Sequence, residues 1–306
     1  ITPVMKNQSI VSTFIMLGFS SNPQLQFPLF VLFLSIYIIA LLAIHTNSLL
    51  HTPMYFFLSN LALVDICYIS CTVPKMLSNF IADNRKISFG GCMTQLYFFV
   101  SLLATECFLL AVMAFDRYTA ICDPLRYAAI MNRYVCAGLV AGSWMGGCLY
   151  STLHLVLASQ LSFCSSNEIQ HFFCDLPPLL ALSCSNTSAN EAAIFVGGLS
   201  IGLSSFLLVL ISYSHIFSAV IKIRVGDGRQ KAFSTCGSHL AVFMLFFSAL
   251  TFVYMRPASS YSLQRDRLIS MVYSVLTPLL NPLIYTLRNK EMKRALRQVM
   301  RGKHGS

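Results

Sequence analysis

Charged side chains are scarce in this sequence. Only 10% of its 306 residues are charged and 56% are hydrophobic, whereas an ordinary soluble domain carries about 25% charged residues. So few charges cannot cover the water-exposed surface of a chain this long. A polar linker between two soluble domains is also missing. The composition therefore favours one membrane-embedded domain spanning residues 1–306.

Sequence motifs for catalysis are missing as well. The chain contains no His-Glu-x-x-His, no Gly-x-Ser-x-Gly and no phosphate-binding loop. It also lacks the internal repeat with paired broken helices that many transporters carry. The sequence therefore predicts neither an enzyme nor a repeat-built transporter.

Long apolar runs are abundant. A membrane-spanning helix needs about 20 mostly apolar residues, and the sequence contains seven runs of roughly this kind. They cover residues 27–44, 54–77, 91–121, 134–157, 192–223, 232–254 and 268–287. We therefore predict an all-α membrane protein, a seven-transmembrane helix bundle over residues 27–287.

The basic residues indicate the orientation of this bundle. Fourteen of the 21 Lys and Arg residues fall on one side, in short loops and in the tail 288–306. Basic loops stay in the cytosol, so we expect a cytoplasmic tail and an extracellular segment 1–26. That segment does not resemble a signal peptide, so the first span is expected to act as an uncleaved anchor. The tail reads as a short amphipathic helix on the anionic inner leaflet, so its charge indicates lipid and not nucleic acid.

Glycosylation and cysteine patterns agree with this orientation. Asn7 and Asn186 each begin an Asn-x-Ser/Thr triplet on the predicted outer side. Four cysteines lie on the same side: Cys92, Cys164, Cys174 and Cys184. Outside the cell they are expected to form two disulfides, and the sequence alone allows three pairings.

Two carboxylates lie within predicted membrane spans. Asp65 and Glu106 are costly there unless they are protonated or share a cation. Asn281 lies at a similar depth in the seventh span. The three side chains could hold a sodium ion or a shared proton, or they could only hold the bundle together through hydrogen bonds. A bound sodium ion is the one cofactor that the sequence suggests.

Several motifs resemble those of a known family. Residues 113–118 (Met-Ala-Phe-Asp-Arg-Tyr) and 281–285 (Asn-Pro-Leu-Ile-Tyr) resemble rhodopsin-like G-protein-coupled receptors. Further motifs narrow the resemblance to olfactory receptors, and it covers almost the whole chain. They are Pro-Met-Tyr-Phe-Phe-Leu-Ser at 53–59, Ser-Tyr at 212–213, Lys-Ala-Phe-Ser-Thr-Cys-Gly-Ser-His-Leu at 231–240 and Pro-Leu-Leu at 278–280.

This resemblance implies a plasma-membrane odorant receptor that activates a stimulatory, olfactory-type G protein and raises cyclic AMP. It implies the disulfides Cys92–Cys174 and Cys164–Cys184, and a trafficking chaperone as a further partner. Arg117 would be held by Asp116 at rest and released on activation; the alternative is an interfacial charge pair that only anchors the helix. The residues implied in G-protein coupling or switching are Asp116, Arg117, Tyr118, Tyr213, Lys231, His239, Asn281, Pro282 and Tyr285.

The resemblance also implies a ligand pocket in the outer half of the bundle. Its expected residues are Phe99, Val100, Leu103, Ala104, Gly197, Gly198, Ile201, Phe247, Leu250, Thr251, Tyr254, Met271 and Ser274. Only three of them carry a side-chain hydrogen-bonding group and none is charged, so we expect a neutral, hydrophobic odorant. The alternative is that several of these residues only pack helix against helix.

The first span departs from the family pattern. Its 18 residues cover only about 27 Å, near the lower limit for a bilayer, and the Gly-Asn pair usual in the family is missing. We therefore expect weak folding or surface expression. A degenerate, non-signalling member of the family is the alternative to a working receptor.

Overall fold

The computed structural model describes residues 12–16, 28, 31, 35, 52–81, 86–164, 167–169, 171–222, 227–255 and 263–277. These residues are mostly helical. The α-helices are α1 (Pro53–Ile81), α2 (Phe89–Cys122), α3 (Tyr127–Ile130), α4 (Arg133–Ser159), α5 (Leu176–Leu182), α6 (Ser188–Gly197), α7 (Ser204–Lys222), α8 (Asp227–Tyr254) and α9 (Leu263–Met271). Two π-helical segments, Gly198–Leu203 and Val272–Leu276, continue α6 and α9, and the strands are β1 (Thr13–Met16), β2 (Lys86–Ser88) and β3 (Glu168–Ile169).

The long helices α1, α2, α4, α6, α7 and α8 overlap the predicted apolar runs. Among the described residues, three stretches are both long and apolar enough to cross a membrane, namely Pro53–Thr72, Phe89–Cys122 and Ser188–Ile221, and a shorter apolar helix covers Phe243–Tyr254. The predicted first span and the amphipathic tail helix lie outside the described residues, apart from isolated positions in the first span. The structure therefore supports a helical membrane protein, while the count of seven spans stays a prediction.

Helix α2 is the central element of the described bundle and packs against α1, α4 and α7. It begins at a defined cap, because the Ser88 hydroxyl accepts the backbone N–H of Gly91 at 3.1 Å. On α4, a Cβ added at Gly147 would lie 2.6 Å from the Ser101 carbonyl oxygen of α2. A glycine is needed for this close approach, as is common between membrane helices.

A small sheet covers the outer face of the bundle. Strand β1 lies in the middle, antiparallel to β2 and parallel to β3. Phe14 and Met16 on β1 are fully buried, and the Phe14 ring meets Phe163 edge-on at 5.1 Å between centroids. The prediction of an all-α chain is therefore incomplete at this face, because four alternating residues are too short a pattern to compete with the long apolar runs.

Candidate functional site

A cavity of about 610 Å³ lies between α2, α4, the α6–α7 stretch and α8. Its walls are almost entirely apolar. The lining residues are Val100, Leu103, Ala104, Cys107, Tyr150, Leu176, Ile194, Gly197, Gly198, Leu199, Ile201, Gly202, Leu203, Phe206, Met244, Phe247, Ser248, Leu250, Thr251, Phe252, Tyr254 and Met255. The size and apolar character are those of a site for a small hydrophobic molecule.

Ten of the predicted pocket residues line this cavity. They are Val100, Leu103, Ala104, Gly197, Gly198, Ile201, Phe247, Leu250, Thr251 and Tyr254. Phe99 instead packs against Phe173, with ring centroids 4.4 Å apart. Ser274 is fully buried and its hydroxyl donates to the Ser270 carbonyl at 2.5 Å, and the side chain of Met271 lies outside the described set. The role of all these residues in ligand binding stays a prediction.

Part of the cavity wall is formed by residues that the sequence does not predict. Tyr150 of α4 reaches the space where a side chain at Gly197 would lie, and Leu176 covers the cavity from the outer loop. The π-helical turn from Gly198 to Leu203 brings Gly202 into the wall. A run containing three glycines was the one available signal, since glycine in a helix interior often marks a packing or functional site.

A buried carboxylate closes the outer end of this region. Asp175 accepts the Tyr254 hydroxyl at 2.7 Å and the Tyr273 hydroxyl at 3.0 Å. It also accepts the Leu176 backbone N–H at 2.8 Å. Burial raises the pKa of the Asp175 carboxyl to about 6, although these donors act in the opposite direction. One loop residue thus connects α8 and the segment after α9.

The same loop is fixed to the centre of the bundle. Cys174 forms a disulfide with Cys92 at the start of α2, and its N–H donates to the Gln95 side-chain oxygen at 3.0 Å. Gln95 in turn donates to the Cys71 carbonyl of α1 at 2.9 Å. A second disulfide, Cys164–Cys184, closes the loop itself. Both pairings are those implied by the family resemblance.

The C-terminal end of α2 carries the predicted switch pair. Arg117 Nε lies 3.9 Å from Asp116 Oδ2, while the Tyr127 hydroxyl donates to Asp116 Oδ1 at 2.7 Å. Burial and this bond to Asp116 raise the pKa of Tyr127, so it stays a donor at neutral pH. Tyr127 was not predicted, because its distance from Asp116 depends on the short helix α3.

The remaining switch residues are only partly described. Tyr118 meets His215 edge-on at 5.7 Å between ring centroids, and Tyr213 is buried on α7. Lys231 and His239 fall within α8, but their side chains lie outside the described set. Asn281, Pro282 and Tyr285 also lie outside it.

The carboxylates predicted within the membrane, Asp65 and Glu106, are both fully buried. Their proposed partner Asn281 is not described, and the described residues contain no group of three His, Cys, Asp or Glu side chains that could hold a metal. The sodium site stays a prediction. Of the two glycosylation asparagines, Asn7 is not described and Asn186 is exposed just before α6.

Comparisons with known proteins agree on the class. The family model described as olfactory receptor matches residues 27–303. The chain is 50% identical over 301 residues to olfactory receptor 1F1 of Homo sapiens, and the aligned part covers 96% of each chain. It is 49% identical over 302 residues to olfactory receptor 1G1 of Gorilla gorilla gorilla, again with 96% of each chain covered. The chain therefore belongs to the olfactory receptor family, whose members are G-protein-coupled signalling receptors and not enzymes.

Proposed function

We propose that the chain binds a small, neutral, hydrophobic odorant in its cavity and activates a stimulatory, olfactory-type G protein that raises cyclic AMP. The observation that carries this proposal is the apolar cavity of about 610 Å³ beside α2. Cavities of 300–1,000 Å³ suit small organic ligands. The family membership supports a receptor role for this cavity.

The lining supports the ligand's chemistry. Within the described part of the chain, the cavity wall contains no Asp, Glu, Lys, Arg or His. The Tyr254 hydroxyl lines the cavity, but its proton is donated to Asp175. A carboxylate or ammonium ligand would lose its hydration shell without gaining an opposite charge, and that loss is costly. A neutral odorant avoids this loss.

Signal transfer would run through the cytoplasmic end of α2. Arg117 is partly exposed there and only 3.9 Å from one oxygen of Asp116. Tyr127 occupies the other oxygen, which weakens the hold of Asp116 on Arg117. We propose that this leaves Arg117 able to meet Tyr213 and the G protein when the helices rearrange.

The proposal includes a membrane arrangement. We infer seven spans in the plasma membrane, with residues 1–26 outside, residues 288–306 against lipid in the cytosol, and glycans on Asn7 and Asn186. A trafficking chaperone would assist surface delivery of a chain whose first span is short. A sodium ion at Asp65, Glu106 and Asn281 would modulate signalling. No change in the sodium or pH dependence of signalling in Asp65→Asn would contradict that last point.

An odorant panel in transfected cells tests the proposed function. Cyclic AMP is measured with an N-terminal epitope reporting surface expression. Val100→Phe fills the cavity from α2, so it should abolish responses to the larger active odorants. Val196→Phe is the matched control, because Val196 is 62% exposed on α6. Equal responses in the two variants, or activation by short carboxylic acids alone, would contradict the proposed site.

A further inference from the structure

One side of the cavity reaches the outer surface of the helix bundle. Its inner wall on α2 is buried, with Val100 2% and Cys107 5% exposed. Its opposite wall contains Leu203 of the π-helical segment at 47% exposed and Met244 of α8 at 46% exposed. Residues of the same cavity thus lie both in the protein core and on the outside of the bundle.

This outside surface is apolar well beyond the cavity. Val196 and Phe195 of α6 and Ile211 of α7 are each more than half exposed. They belong to the stretch Ser188–Ile221, which is long and apolar enough to cross a membrane. An apolar surface on such a stretch faces hydrocarbon and not water. The open side of the cavity therefore faces lipid.

In contrast to this open side, the end of the cavity that points toward water is closed. Leu176 covers the cavity and is 2% exposed. Beside it Asp175 is fully buried and holds the hydroxyls of Tyr254 and Tyr273. The disulfide from Cys174 to α2 fixes this cover in place. An apolar molecule coming from water would have to displace a bonded carboxylate.

The backbone along the open side has unusual room. A Cβ added at Gly202 would meet nothing within 4 Å. At Gly198 the space of a side chain is taken by the end of Met255, the residue that follows α8. Methionine is flexible and adapts to irregular gaps, so Met255 can swing away from Gly198 without moving a helix.

From these observations we propose that ligands reach the cavity sideways from the bilayer, through a passage between the Gly198–Leu203 segment and α8, with Met255 as its movable part. This deepens the proposed function and rests on it. It implies ligands that partition into lipid before they bind.

Photolabelling of the purified receptor in lipid nanodiscs tests the passage. The probe is a neutral adamantyl diazirine, added by rapid mixing and irradiated after a variable delay. Light expels N₂ from the diazirine, and the resulting carbene inserts into a C–H or X–H bond of the residue it touches. Mass spectrometry then reports labelling of Leu103 on the inner wall, with a diazirine benzoate as the charged, water-confined probe.

Three variants give the expected pattern. Gly202→Leu should lower the ratio of Leu103 labelling at the shortest delay to its labelling at long delay about fivefold, because the path is narrower. Gly142→Leu is the matched control, since a Cβ there also meets nothing within 4 Å but lies on α4. Met255→Ala should speed labelling. The benzoate should leave Leu103 unlabelled at every delay.

Other outcomes distinguish a failure of the proposed passage from a failure of the proposed function. Equal early labelling in Gly202→Leu and Gly142→Leu would overturn the passage. So would faster labelling in Tyr273→Phe, since loosening the outer cover would then control access. Absence of Leu103 labelling even at long delay would mean that the cavity takes no apolar molecule, and the proposed function itself would fail.

Discussion

Two helical stretches of the chain have equal length and similar hydropathy but different surroundings. Phe89–Cys122 and Ser188–Ile221 are each 34 residues long. In its most apolar part the first is 72% buried inside the protein and the second only 22%. A high hydropathy indicates that side chains are shielded from water, and either protein or lipid can shield them. Only the packing shows that one stretch is the core and the other is a lipid-facing wall.

The disulfides at the outer ends of these two stretches should give the largest effect. Cys92–Cys174 anchors α2 across 82 residues, whereas Cys164–Cys184 lies before α6 and closes 20. Removing a native disulfide costs about 2–5 kcal/mol and the cost rises with loop length. Cys92→Ser with Cys174→Ser should therefore lower surface expression, measured by flow cytometry, more than Cys164→Ser with Cys184→Ser. Equal losses would remove this distinction between the two ends.

Leucine truncation compares the two stretches directly. Leu109 on α2 is fully buried and Leu210 on α7 is 42% exposed. Leu109→Ala should destabilise the receptor by about 2–5 kcal/mol because it leaves a cavity. Leu210→Ala exchanges one apolar surface for another against lipid, so its effect should be small. The melting temperature in nanodiscs measures both, and similar shifts would refute the contrast.

The loop around Asp175, which is linked to α2 by the disulfide of Cys174, should change in stability with pH. The pKa of Asp175 is raised to about 6 by burial, above its value of 3.8 in an opened or unfolded chain. The buried state therefore binds the proton more tightly, and its stability falls as pH rises from about 4 through 6, by about 3 kcal/mol in all. Asparagine at position 175 is neutral at every pH. The melting temperature of Asp175→Asn should therefore rise relative to that of wild type as the pH is raised from 5 to 7.5. A difference that does not change with pH would contradict the burial of a charged carboxylate.

The C-terminal end of α2 should give the smallest effect. Tyr127→Phe removes the donor to Asp116, leaving both oxygens to Arg117. Hydrogen bonds to charged groups contribute about 1.5–3 kcal/mol, so basal and odorant-evoked cyclic AMP should fall about tenfold or more. Tyr134→Phe is the control, since Tyr134 is 91% exposed on α4. Unchanged or higher basal signalling would show that Tyr127 does not compete with Arg117.

Sequence reasoning located the helices well where the pattern is long. The predicted span 91–121 is a helix from Phe89 to Cys122, with the Ser88 cap at its start and Asp123 as the C-cap at its end. The fifth span was less accurate. It was predicted from residue 192, but the helix begins at Ser188 and contains a π-helical turn. Such a turn depends on which backbone carbonyl accepts each N–H. A hydropathy pattern contains no information about that pairing.

The residues around the cavity also include some that the sequence predicts and some that it does not. Family resemblance named Val100 and Phe99 together, but neighbours on a helix point about 100° apart, and only Val100 lines the cavity. No motif named in the sequence analysis includes Asp175. Its partners Tyr254 and Tyr273 lie 79 and 98 residues away. Contacts at that separation come from the folded arrangement and not from local sequence.

The outer sheet has a consequence for how the protein is made. Strand β1 pairs with β3, so Met16 meets Ile169, about 150 residues later in the chain. At about 5–20 residues per second of synthesis, the ribosome needs roughly eight to thirty seconds to supply that partner. Until then Phe14 and Met16 have no finished sheet to bury them. Strand β1 is thus made early and buried late, so a mutation in it should reduce the amount of folded protein produced.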